Sequence, residues 1–232
     1  MNKVIRTNLD NLHSDDRELQ NKAFSYVLKA TDKPVDWAYE VWDEMVETLS
    51  HKDNHQRAIA AQVLCNLAKS DPKNRMLKDF DALLAVTKDE RFVTARHCLL
   101  SMWKVGAAGK KQQKKLVESL AGRFKECITE KNCTLIRYDV IQGLRKLYDE
   151  VKDEKIREKA LELIETEEDL KYRKKYASLW RVRWRTLIER AAPNPARADG
   201  DGRRNDSRKV PPRLSARLLG RWLFSTNCYQ GF

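Results

Sequence analysis

The sequence predicts an all-α protein: one right-handed α-α superhelix, a solenoid of about five helix pairs. Three observations carry this. One apolar template recurs four times, from Gln20, Arg57, Arg96 and Arg137, at start-to-start distances of 37, 39 and 41 residues. The segments between copies repeat apolar residues with the same 3.6-residue period, the mark of an amphipathic helix. Nothing alternates with period two over a useful length, so strands are not expected.

The elements follow in order. Asn2 to Leu12 supplies a short capping helix. The first template copy places Ala23, Phe24, Val27 and Ala30 on one face. Trp37, Val41, Met45, Val46 and Leu49 form the next helix, with Asp32 and Pro34 as its start signals. The second copy contributes Ala60, Ala61, Leu64 and Leu67, and Met76, Leu77, Phe80, Leu83 and Leu84 follow Asp71-Pro72. The third copy contributes Leu99, Leu100 and Trp103 and carries Gly106 where the others have an apolar residue. A lysine-rich loop leads to Leu116, Val117, Leu120, Phe124 and Ile128, before the fourth copy with Val140, Ile141, Leu144 and Leu147. Ile156, Ala160, Leu163 and Ile164 open a fifth pair, which Glu167 to about Arg190 completes before Pro193 forbids continuation. No pair can bury both apolar faces alone, so each must stack on its neighbours, leaving one row of helices along a concave surface.

Composition agrees. The 232 residues are 41% hydrophobic and 34% charged with only 8 Gly and 6 Pro, enough apolar material for a sizeable core. No stretch approaches a membrane span, and Met1 to Asp10 lacks the apolar core of a secretory signal, so a cytoplasmic protein is expected. Cys65, Cys98, Cys127, Cys133 and Cys228 show no C-x-x-C pair, and their odd number fits a reducing compartment.

Charge divides the chain. Residues 1–176 hold 34 Lys+Arg against 30 Asp+Glu, a balance of +4, whereas residues 177–232 hold 12 against 4, or +8. Lysine also gives way to arginine there, with Lys209 the single lysine of the last 56 residues. The expected organisation is a helical repeat domain over 1–190 and a disordered Arg-rich C-terminal tail over 191–232. That tail reads either as an anchor for phosphate-bearing partners or as a non-native, frame-altered terminus; the abrupt change in basic residue favours the second.

Asp53, Gln56-Arg57, Ala60-Ala61 and Leu64 set an acid in a turn ahead of a basic, apolar second helix, as do Asp89, Ala95-Arg96, Leu99-Leu100 and Trp103. Ile136-Arg137, Val140-Ile141 and Leu144 follow suit, while the first copy has Gln20 in place of the arginine. This pattern resembles the turn and second helix of the HEAT family, and more broadly armadillo-type helical repeats. The resemblance covers roughly residues 10–165 and implies fold, not function. Asp36-Trp37 with Trp42-Asp43, and Asp79-Phe80-Asp81 ahead of Arg91 and Arg96, set tryptophan or phenylalanine beside aspartates with basic residues following. In these residue types the chain more weakly resembles the bacterial HEAT-like DNA alkylation-repair glycosylases. That resemblance would imply Asp43 or Asp81 stabilising a cationic sugar while Trp42 faces the base; set against that, the aromatics serve as core and the aspartates as a solvated face.

Other candidates are basic. Lys104, Lys110, Lys111, Lys114 and Lys115 crowd the segment around Gly106-Ala107-Ala108-Gly109, which is not a P-loop because its glycines are too close and no Ser or Thr follows Lys110. They read as a phosphate-contacting patch or as a solvated loop. Lys171, Arg173, Lys174, Lys175, Arg181, Arg183 and Arg185 interleave with Tyr172, Tyr176, Trp180 and Trp184, the pattern of a nucleic-acid or lipid-contacting helix and equally of a closing cap. His51, Asp53 and His55 lack a fourth ligand, so no metal is expected, nor any cofactor. The function expected is a non-catalytic scaffold holding a protein partner on its concave face through Arg57, Arg96 and Arg137, arginines that ladder contacts within the fold could equally consume. Nucleic-acid binding is the second class.

Overall fold

A computed structural model describes residues 1–180. The readings placed on Arg181, Arg183, Trp184, Arg185 and the 191–232 tail lie outside those residues.

Among the described residues there are eleven α-helices and no strand: α1 (Lys3–Asn11), α2 (Arg17–Ala30), α3 (Ala38–Thr48), α4 (Asn54–Leu67), α5 (Arg75–Val86), α6 (Phe92–Ser101), α7 (Trp103–Ala107), α8 (Lys110–Glu126), α9 (Cys133–Val151), α10 (Glu154–Glu165) and α11 (Leu170–Ser178). They pair as α1/α2, α3/α4, α5 with α6–α7, α8/α9 and α10/α11, and the pairs stack in chain order. The fold is an all-α solenoid. Five of the helix starts are set by short acidic or amide side chains, because these satisfy orphan backbone N–H groups. Asn2 accepts from Val4, Asp16 from Glu18 and Leu19, Asp53 from His55, Asp153 from Lys155, and Asp169 from Lys171 and Tyr172.

The core is the predicted one. Ala23, Phe24, Val27, Ala60, Ala61, Leu64, Leu67, Leu99, Val140, Ile141, Leu144 and Leu147 are buried, as are Val41, Met45, Phe80, Leu83, Leu116, Leu120, Ile156 and Leu163 from the alternate helices. The second helices pack on one another more extensively than the first helices do, notably α4 on α6 and α6 and α7 on α9. Tighter spacing along one row makes that row the inner side of the curve. Helix α4 is enclosed almost all round, with ten of its fourteen residues buried.

Polar contacts mark the repeat as clearly as the apolar ones. Trp42 Nε1 donates to Asp79 at 2.8 Å, Asn66 Nδ2 to the Leu28 carbonyl at 3.1 Å, and Gln112 to Asn74 at 2.7 Å. Gln113 reaches Asp153 at 2.7 Å and Tyr176 OH reaches the Thr134 carbonyl at 2.9 Å. Each spans about one repeat.

Two elements differ from expectation. Gly106 does not lie in a loop: it is buried inside α7, where a Cβ would meet Leu116 Cδ2 at 2.7 Å and Leu147 Cδ2 at 2.9 Å. The backbone tightens at Met102, whose carbonyl accepts from Val105 N at 2.9 Å, and this turn carries α7 in against α8 and α9. Only glycine permits so close an approach, since both leucines are themselves fixed in a packed interior. Gly106→Val is expected to cost about 2–3 kcal/mol by overpacking and β-branching, read as a lower denaturation midpoint; unchanged stability would refute the contact. Ile128, expected on the apolar face of α8, sits on the 3₁₀ turn after that helix and is 71% exposed.

The candidate binding surface

The inner row carries Arg57, Arg96 and Arg137 near the starts of α4, α6 and α9, and the structure ties these residues to the fold. Arg57 grips Asp89 of the next repeat through two bonds, Nε at 2.5 Å and Nη2 at 2.9 Å, and its remaining nitrogen donates to the His51 and Lys52 carbonyls. Arg137 reaches Glu167 at 2.9 Å and the Phe124 carbonyl at 3.1 Å, its guanidinium lying 4.8 Å from the Phe124 ring centre. Both are largely covered. Where the first copy has Gln20, Arg17 supplies the ladder contact instead, approaching Asp53 at 3.6 Å while bonding Gln20 at 2.9 Å. Arg96 bonds Asp139 within α9 at 2.9 Å, and Glu130 of the turn before that helix is held by Arg123 at 2.6 and 2.8 Å.

Asp139 has no exposed side-chain surface. Burial pushes its carboxyl up, and the Arg96 guanidinium opposes that shift. Around this pair the inner row gathers cations. Lys146 and Lys175 both act on Asp139; Lys146 and Lys69 both act on Lys104. Burial holds the Lys104 ammonium below the usual lysine range; Lys69 and Lys146 push it the same way, while Cys65 and Asp32 oppose. Lys104 donates to Asn66 and lies 5.9 Å from the Trp103 ring centre, while Lys69 donates to the Asp32 carbonyl at 2.8 Å. Lys175 sits 4.8 Å over the half-buried Tyr138 ring. Lys69, Lys104, Lys146 and Lys175 thus form a basic strip with an aromatic accompaniment, one lysine from each of four successive repeats.

The remaining predicted residues fall elsewhere. Lys110, Lys111, Lys114 and Lys115 occupy the first two turns of α8, in the outer row. Lys110 pairs with Asp153 at 3.2 Å; Lys115 pairs with Asp81 at 3.0 Å and covers the Phe80 ring at 5.0 Å; Lys111 and Lys114 are exposed. On α11, Lys171 stands 5.8 Å from the Tyr172 ring, Arg173 donates to the Glu167 carbonyl at 2.6 Å, and Lys174 is exposed. Only Lys175 of this helix joins the inner strip. Trp42 is fully buried, so its ring presents no face to a base. Asp43 pairs with Arg75 and Asp81 with Lys115, on separate helices and at side-chain exposures near 80% (81% and 79%). The trio does not converge on a pocket.

Lys69 and Lys146 were not singled out in the sequence. Their signal is one lysine near the later part of each second helix, but the intervals of 35 and 42 residues between Lys69, Lys104 and Lys146 blur it.

The helix pairing and the repeat length make the fold an armadillo/HEAT-like helical repeat. No protein-family model matches the chain. No curated protein matches it either. Similar solved structures include an engineered protein, 17% identical with a TM-score of 0.46, covering 77% of this chain and 79% of that one. A second engineered protein is 15% identical with a TM-score of 0.42, covering 77% and 95%. A designed armadillo repeat protein is 14% identical with a TM-score of 0.40, covering 82% and 94%. No helix among the described residues is long and apolar enough to cross a membrane.

Proposed function

We propose that the protein is a non-catalytic scaffold whose inner helix row holds an extended, acidic polypeptide. The observation that carries this is the strip of Lys69, Lys104, Lys146 and Lys175, a run of like charges set one repeat apart. Like charges brought together cost free energy in the isolated fold, and an anionic chain lying along them offsets that cost. Trp103 and Tyr138 beside the strip add apolar surface that a polypeptide can cover. The arginines Arg57, Arg96 and Arg137 serve this reading from behind, holding successive repeats in register.

Fluorescence anisotropy of a labelled oligoglutamate against the full chain tests it. The double variant Lys146→Glu, Lys175→Glu replaces two exposed strip residues and is expected to weaken binding by roughly tenfold or more. Because the arginine-rich residues beyond 180 are the same in both proteins, the comparison isolates the strip. Equal affinity of the two proteins would end the proposal. A duplex DNA of matched charge that bound more tightly than the peptide, with the same sensitivity to the double variant, would move the function to nucleic acid.

A further inference from the structure

Two cysteines outside the binding surface lie in contact. Cys127 is the first residue of the 3₁₀ turn that ends α8, and Cys133 is the first residue of α9. Their Sγ atoms are 3.1 Å apart. We propose that Cys127 and Cys133 form a peroxide-sensitive thiol pair that closes to an intramolecular disulfide and pins the turn between the two helices of the fourth repeat.

Access divides the roles. Cys127 is fully buried, its Sγ 3.4 Å from the Phe124 carbonyl, whereas Cys133 is half-exposed. Burial, then the bond to Cys133, hold the Cys127 thiol up at about 12, with Arg137 and Arg123 pulling the other way. Cys133 is therefore the sulfur that meets the oxidant. Its thiolate attacks one oxygen of hydrogen peroxide, giving the sulfenic acid and releasing hydroxide, which takes up a proton as water. Cys127, giving up its proton, then attacks that sulfur, and the sulfenic oxygen leaves as a second water. Two thiols and one peroxide become one disulfide and two waters.

The geometry needs little adjustment. Bonding brings the sulfurs from contact to about 2.05 Å, and the intervening Ile128 to Asn132 form a turn with an exposed apolar tip that can take up the movement. That segment carries Glu130, the partner of Arg123. Cys65 and Cys98 are fully buried and stand among core side chains, away from the surface.

Trypsin supplies a clean readout, because Lys125, Lys131 and Arg137 place the two cysteines in separate peptides, 126–131 and 132–137. Full-length protein is treated with one equivalent of peroxide, capped with N-ethylmaleimide, digested and weighed with and without dithiothreitol. The expected result is a linked pair of those peptides, lighter by two hydrogens than their sum and separated by reductant. In Cys127→Ser, dimedone should capture a sulfenic acid on Cys133; in Cys133→Ser, Cys127 should stay a thiol under the same treatment. Both peptides capped separately after peroxide, a link from Cys133 to Cys228 or to a second chain, or failure of dimedone to label Cys127→Ser would each overturn the proposal.

Discussion

Arg123→Met is expected to destabilise the protein by about 3 kcal/mol, seen as a lower urea midpoint with an unchanged slope. The Arg123 side chain is 1% exposed, yet its charge is fully engaged. Two of its nitrogens bond Glu130 at 2.6 and 2.8 Å, and two donate to the Thr87 carbonyl at 3.2 and 3.0 Å. Methionine keeps the apolar stem and removes only the head group. The loss then falls on the Thr87 carbonyl, left buried without its donors, since Glu130 is 40% exposed and can turn to water. Arg123→Lys should recover little, because a single ammonium cannot serve a carboxylate and a carbonyl in one plane. A lysine variant as stable as the parent would show that charge alone, not the planar fork, holds the third and fourth repeats together.

Trp42→Ala is expected to cost still more, about 3–5 kcal/mol. The ring is wholly buried, meets Tyr39 edge to face at 5.8 Å, and donates its N–H to Asp79 of the next repeat at 2.8 Å. Alanine leaves a cavity at the boundary between two repeats and strands a carboxylate bond. Trp42→Phe should lose less than half as much, since most of the volume stays. These two variants also separate roles: a base-stacking tryptophan could be removed with little change in stability, whereas a core tryptophan cannot. Full thermal stability in Trp42→Ala would contradict the packing described.

How much of this was legible depends on the range of the interaction. The apolar template is local, repeating within one helix, and so Ala60, Ala61, Leu64 and their counterparts could be read as core directly. The arginines at the heads of the last three copies could be read too, but not their partners, which lie about one repeat away and are decided by whichever acid packing delivers. Arg57 finds the turn residue Asp89, while Arg96 finds Asp139 in the middle of a helix. Gly106 looked like loop punctuation because glycine ordinarily is; only the approach of Leu116 and Leu147 makes it a helix residue. The lysine strip was hidden for a different reason. Exposed lysines carry no periodic constraint, so their alignment appears only once the helices are stacked. The Cys127–Cys133 contact likewise depends on the turn that folds α8 back toward α9.

The rungs described above, Trp42 to Asp79, Arg57 to Asp89, Gln112 to Asn74, Arg123 to Thr87, each join one repeat to the next. As a mechanical object such a molecule is a set of springs in series. Tension applied between its first and last helices passes undivided through every boundary, so the extension is the sum of many small ones and the softest boundary sets the yield point. A partner lying along the inner row spans several of those boundaries at once, in parallel with them, and would stiffen the whole.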